Sequence, residues 1–151
     1  MDMPSKDQRR GGLSIPGQVH HITLTTAGRR PLFEDFSHAR LVIAEMRRLQ
    51  EQNIVHSLAW VLMPDHLHWL LQLRGPIGLA NAIKVFKGRS ARRLGVVLET
   101  GGAVWQAGFR DHALRRESDL IQVARDIVAR PLRAGLVKRI GDYPSWDAQW
   151  L

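Results

Sequence analysis

An α+β fold, an antiparallel sheet with helices on one face, is what this sequence predicts. Three observations predict it. The apolar pattern alternates between strand and helix spacing and gives the order β-α-β-β-α-β-α, close to the ferredoxin-like order. Two apolar runs, 54–63 and 66–73, are separated only by Pro64 and Asp65, which reads as a hairpin. Hydrophobic residues make up 44% of the 151, enough for one core.

The elements follow in order. Residues 1–17 hold Pro4, Gly11, Gly12, Pro16 and Gly17 among Lys6, Arg9 and Arg10, and read as a flexible basic arm ahead of a single domain, 18–151. QVHHITLTT (18–26) alternates and is rich in β-branched residues, so it is a strand. Residues 35–52 place Ala39, Val42, Ile43, Met46 and Leu49 on one helical face, and Asn53 can end that helix. The hairpin strands come next. RGPIG (74–78) breaks the chain before a helix over 79–95 with Leu79, Ile83, Phe86 and Leu94 inward. A short strand is expected near Val104–Gln106. A last helix, 117–129, takes Ser118 as its N-cap and must end or kink at Pro131. The aromatic tail GDYPSWDAQWL is expected to pack back on the body.

Composition narrows the function. There is no cysteine, which excludes disulfides and thiolate metal sites. No apolar run reaches the length of a membrane span, and the N-terminus lacks a secretory h-region, so a cytoplasmic protein is expected. Lys and Arg exceed Asp and Glu by 22 to 14, a formal charge of +8. That excess fits a polyanionic partner such as nucleic acid, or solubility charge alone.

In WVLMPDHLHWLLQL (60–73), His66 and His68 are spaced i,i+2 and share one face of a strand, with Leu67 turned to the other. Two imidazoles side by side are half of a divalent metal site. Two surface histidines on a half-exposed sheet satisfy the same pattern without a metal.

VLMPDHLHWLLQL also resembles the segment v-hMP-[ND]-H-hydrophobic-H of the HUH single-strand DNA nucleases, in particular the REP-associated tyrosine transposases, relatives of the IS200-like transposases. HHITLTTAGRRPLF resembles the family's first strand and turn. VWQAGFRDHALRRESDL resembles its WQ-x-x-F-x-[DE]-H-x-[LI]-R block, and DIVARPLRAGLVKRIGDYPSW its Y-I-x-x-N-P-[VL]-[RK]-A-G-L-V stretch. The matched blocks run in order over roughly residues 18–150. The resemblance implies an antiparallel HUH domain whose two histidines, here His66 and His68, bind Mg or Mn. A tyrosine would form a 5′-phosphotyrosine link. The DNA would be a single strand beside a REP-type hairpin.

The resemblance breaks at two places. Asp126 stands where the family motif has its nucleophilic tyrosine, and Arg130 where it has the asparagine expected to supply a third metal ligand. A guanidinium cannot ligate a metal. The i,i+4 spacing predicts an Asp126–Arg130 ion pair on one helix face. Tyr143, the only tyrosine, lies beyond Pro131 in a stretch that reads as structural. These departures favour DNA binding with impaired nicking, or none. An unrelated basic α+β domain that binds RNA or metal is a further alternative.

Candidate DNA contacts are Arg9 and Arg10 in the arm, Lys84, Lys87, Arg89, Arg92 and Arg93 on the second helix, and Arg110, His112, Arg115 and Arg133 near the matched blocks. No self-complementary apolar patch is readable, so a monomer is expected, although the family also includes dimers.

Overall fold

The computed structural model describes residues 17–99 and 101–149, together with the backbone of Asp2 and Met3. The expected arm therefore lies almost wholly outside the described residues, and Arg9 and Arg10 with it.

The strands are β1 (Asp2–Met3), β2 (Val19–Thr25), β3 (Val55–Met63), β4 (His66–Leu73), β5 (Arg110–Leu114) and β6 (Trp146–Ala148). They form one antiparallel sheet in the order β1-β5-β2-β4-β3-β6. The helices are α1 (Phe36–Glu51), α2 (Leu79–Val97) and α3 (Glu117–Val128), with a further helical turn at Arg130–Arg133. None of the described helices is long and apolar enough to cross a membrane.

Strand alternation divides the side chains between two faces. Ile22 and Leu24 of β2, with Leu67, Trp69, Leu71 and Leu73 of β4, join Val42, Met46 and Leu49 of α1 and Ile83, Phe86 and Leu94 of α2 in the larger core. Each such side chain contributes roughly 1.5–3 kcal/mol by leaving water. Two buried indoles here have their N–H groups met: Trp69 donates to Ser57 Oγ at 2.9 Å, and Trp105 to Ser90 Oγ at 2.9 Å. Both tryptophans are therefore core residues. A buried carboxylate, Glu45 of α1, takes the Arg93 Nε of α2 at 2.5 Å and ties the two helices together.

The opposite face is covered differently. Val19, Val61, Met63, Leu70 and Leu114 pack beneath Ala124, Ile127 and Val128 of α3. Helices thus cover both faces, not one as the element order suggested. The reason is amphipathicity: α3 has its own apolar stripe and needs a sheet face that α1 and α2 do not occupy.

Helix α1 starts at Asp35, whose carboxylate accepts the Ser37 N–H at 2.9 Å, and it stops before Asn53, which has φ 58°. Two other expectations need correction. Residues 104–106 do not form a strand; Trp105 makes a single bridge to Thr26. Its ring packs against Phe33 and Phe86, and Gly108, at φ 76°, turns the chain before the true strand at Arg110–Leu114. Helix α3 has Arg116, not Ser118, at its N-cap, with no side-chain cap; Glu117 and Asp119 meet the first-turn dipole instead. The tail does pack back. Trp146–Ala148 pairs with β3 as the sheet edge, and Tyr143 Oη donates to Leu62 O at 2.6 Å.

Candidate functional site

β2 and β4 pair so that Thr23 lies opposite His68 and Thr25 opposite His66. All four side chains share the face that carries α3. Beyond the reach of α3 that face opens into a cavity of about 600 Å³. Its floor is Thr23, Thr25, His66 and His68, and its walls include Arg29, Gln106, Arg110 and Arg130. Among the described residues, none that lines it is acidic.

The two imidazoles lie edge to face, 4.9 Å between centroids. Each is oriented through Nδ1. His66 Nδ1 meets Asp65 Oδ1 at 2.6 Å. His68 Nδ1 meets His21 Nε2 at 3.1 Å and Thr23 Oγ1 at 3.2 Å. Both rings line the cavity while their Nδ1 atoms are engaged by these contacts. Burial would raise the Asp65 carboxyl, but the hydrogen bonds and charges of His66 and Arg29 outweigh it and hold the group below its usual range. His68 is pushed down to about 2, first by burial, then by the charge on Arg130, and then by His66, His21 and Arg110. Each of these disfavours the charged form of the ring.

His66 and His68 therefore bring two imidazole rings to one cavity, each oriented by a neighbouring polar group, the half of a divalent site that the motif implied. The other half is missing. No group of three or more His, Cys, Asp or Glu side chains is positioned to hold a metal among the described residues. Arg130 lines the cavity as well, and its charge acts on His68. A divalent ion about 4 Å from a guanidinium is opposed by roughly 2–8 kcal/mol for dielectric constants from 80 to 20. The residues present do not fit a tightly held Mg or Mn ion.

Asp126 and Arg130 do not pair. Asp126 Oδ1 accepts from Arg133 Nη2 at 3.1 Å and from Gln122 Nε2 at 3.2 Å, outside the cavity. Arg130 lines the cavity instead. Helix α3 ends at Val128, and Arg130 opens a separate turn with Pro131 next to it. The i,i+4 rule, which assumes one unbroken helix, therefore does not carry across. Tyr143 also stays away from the cavity; its hydroxyl is tied to Leu62 O and burial raises it to about 12.

The basic residues divide by role. Lys87 donates to Gln106 O and Gly108 O and so anchors the loop that walls the cavity. Arg89 donates to Gln52 Oε1 at 2.7 Å, and Arg93 holds Glu45. These three of the five α2 cations make structural contacts, while Lys84 and Arg92 are exposed. Arg110 is exposed at the cavity wall; Arg115 is exposed elsewhere; Arg133 engages Asp126. His112 lies opposite His21 in the β2–β5 register. Thr23, Thr25, Arg29, Asp65 and Gln106 were not singled out from sequence. Alternation put the threonines on one face of β2, but only the register shows that this is the histidine face.

The family model for IS200-like transposases matches residues 15–122. The chain belongs to the IS200-like transposase family. It is similar to the REP-associated tyrosine transposase of Escherichia coli (strain K12), 28% identical over 133 residues that cover 86% of this chain and 76% of that protein. In fold, this family member is similar to a REP-associated tyrosine transposase solved bound to a REP hairpin, with TM-score 0.75, 22% identity, and coverage of 91% of this chain and 81% of that one. A putative transposase from Deinococcus radiodurans R1 has TM-score 0.55 and 24% identity, covering 79% of this chain and 95% of that one. The expected HUH-type architecture and transposase family are thus correct.

Proposed function

We propose that this chain binds single-stranded DNA beside a REP-type hairpin and does not nick it. The binding half rests on the family, on the formal charge of +8, and on a cavity walled by Arg29, Arg110 and Arg130. The non-nicking half rests on one observation: among the described residues, no side chain that lines the cavity is a competent nucleophile. Asp126, at the motif's tyrosine position, is outside the cavity and bonded to Arg133. Even if it reached a phosphodiester, attack by its carboxylate would give an acyl phosphate. That mixed anhydride hydrolyses, whereas strand transfer needs an ester that can be resealed. Among the cavity residues, Thr23 and Thr25 are hydroxyls without an adjacent carboxylate base, and the His68 ring is already engaged through Nδ1.

The test is a nicking assay on a labelled REP hairpin with a single-stranded flank, in Mg or Mn. The chain itself is expected to leave the strand intact. The double variant Asp126→Tyr with Arg130→Asn is expected to form a covalent protein–DNA adduct. Cleavage by the unmodified chain would sink the proposal.

A further inference from the structure

The mismatch between the donor set and a divalent ion has a chemical meaning of its own. In a metal-dependent site the ion sits between two sets of lone pairs, those of the histidine nitrogens and those of a phosphate. A guanidinium can occupy the same kind of place. It is cationic, planar and carries five N–H donors in a fork that matches phosphate oxygens. From the geometry of this cavity we propose that Arg130 stands in for the divalent ion as its cationic centre, holding a DNA backbone phosphate against the His66–His68 floor without metal. The proposal rests on the DNA-binding reading above.

Four observations carry it. Arg130 lines the cavity that holds both histidines. It makes no ion pair with Asp126, the carboxylate one helical turn away, which Arg133 has taken instead. Its Nε is buried and has no hydrogen-bond partner, so the guanidinium retains donor capacity that the fold does not use. Finally, the cavity wall adds Arg110 and Arg29 and, among the described residues, includes no carboxylate. Of these, Arg29 is partly neutralised by Asp65 at 3.2 Å. Such a lining disfavours a cation and favours an anion, and an Arg–phosphate fork is among the stronger charge-assisted contacts. Both imidazole rings are held through Nδ1 and line the same cavity as Arg130, so the guanidinium and the histidines border one space.

The decisive experiment measures affinity for a fluorescent hairpin with a single-stranded flank, in EDTA and in Mn, for the full chain and for Arg130→Asn and Arg130→Lys. Binding of Mn ion alone is followed in parallel by electron paramagnetic resonance. The unmodified chain is expected to bind DNA equally in EDTA and Mn, within about twofold, and to bind no Mn at micromolar concentration. Arg130→Asn is expected to weaken DNA binding in EDTA about tenfold and to lower the salt slope by about 0.7, the share of one single-strand phosphate. It should also gain Mn binding and recover affinity when Mn is added. Arg130→Lys, which keeps the charge and loses the fork, should fall between. Melting curves on each variant show that it is folded.

Loss of wild-type affinity in EDTA, or an unchanged EDTA affinity in Arg130→Asn, would overturn the proposal. Failure of the unmodified chain to bind the hairpin in either buffer would instead overturn the DNA-binding reading. The cavity is then probed with inorganic phosphate by NMR of the histidine side chains. Shifts in the unmodified chain that Arg130→Asn abolishes support the anion site, and their absence refutes it.

Discussion

The two faces of the sheet treat the same residue types in opposite ways. On the face under α1 and α2, His20 is fully buried and its Nδ1 meets Asp111 Oδ1 at 2.8 Å. One residue along, His21 points to the other face and joins His68 at 3.1 Å at the edge of an open cavity. The strand is the same and the imidazoles are adjacent in sequence. What differs is helix cover. Two long helices close the first face, so a polar group there must find an internal partner. The single 12-residue helix α3 covers only part of the second face, and beyond it polar groups remain available for a ligand. In this molecule, candidate chemistry lies where helix cover runs out.

That contrast can be broken by mutation. The largest effect is expected on the covered face. His20→Leu leaves the Asp111 carboxylate buried without its partner and should cost roughly 3–5 kcal/mol, read by denaturant unfolding. Replacing both members, His20→Leu with Asp111→Leu, should recover most of that loss. If the single variant is as stable as the parent, the covered face tolerates unpaired charge and the contrast fails.

A smaller effect is expected at the covered end of the other face. Tyr143→Phe removes a hydroxyl hydrogen bond and should cost about 0.5–1.5 kcal/mol at neutral pH. Tyr143 also makes stability fall in alkali. Its pKa is raised from 10.0 to about 12 by burial, so the folded state keeps the proton that the unfolded state loses. The contribution is complete below pH 10 and is lost as the pH rises through 12. Tyr143→Phe should show a flatter decline over that range, and an identical slope would remove this assignment.

The smallest effect is expected at the open end. His66 is half-buried and bonded mainly to the partly exposed Asp65. His66→Ala should change stability by about 0.5 kcal/mol or less. A loss comparable to that of His20→Leu would mean that the cavity floor is core, and the distinction between the faces would collapse.

Several elements were legible without tertiary information. Strand 66–73 has the bounds that the apolar run after the Pro64-Asp65 turn indicated, and the second helix begins at Leu79 as read. The four residues expected to face inward from that helix, Leu79, Ile83, Phe86 and Leu94, are all at 2% exposure or less. Strand β5 was not legible because RDHAL has no run of β-branched residues. It is a strand because β1 and β2 supply its ladder from either side and His20 neutralises the cost of burying Asp111. Lys87, Arg89 and Arg93 looked like a solvated basic face. Their carbonyl, amide and carboxylate partners lie 15 or more residues away in sequence, where no local pattern records them.

The sequence by itself determined the period of strands β2, β3 and β4 and of the three helices, and the placement of His66 and His68 on one face. Those are properties of neighbouring residues, and backbone geometry converts spacing into direction. Only the tertiary structure decided that Asp126 turns to Arg133 while Arg130 enters the cavity. It alone also decided that Thr23 and Thr25 join the histidines, and that α3 takes the face α1 and α2 leave free. The physical reason is that strand register and helix docking are set by which apolar surfaces can be buried together, a property of the assembled chain and not of any one segment.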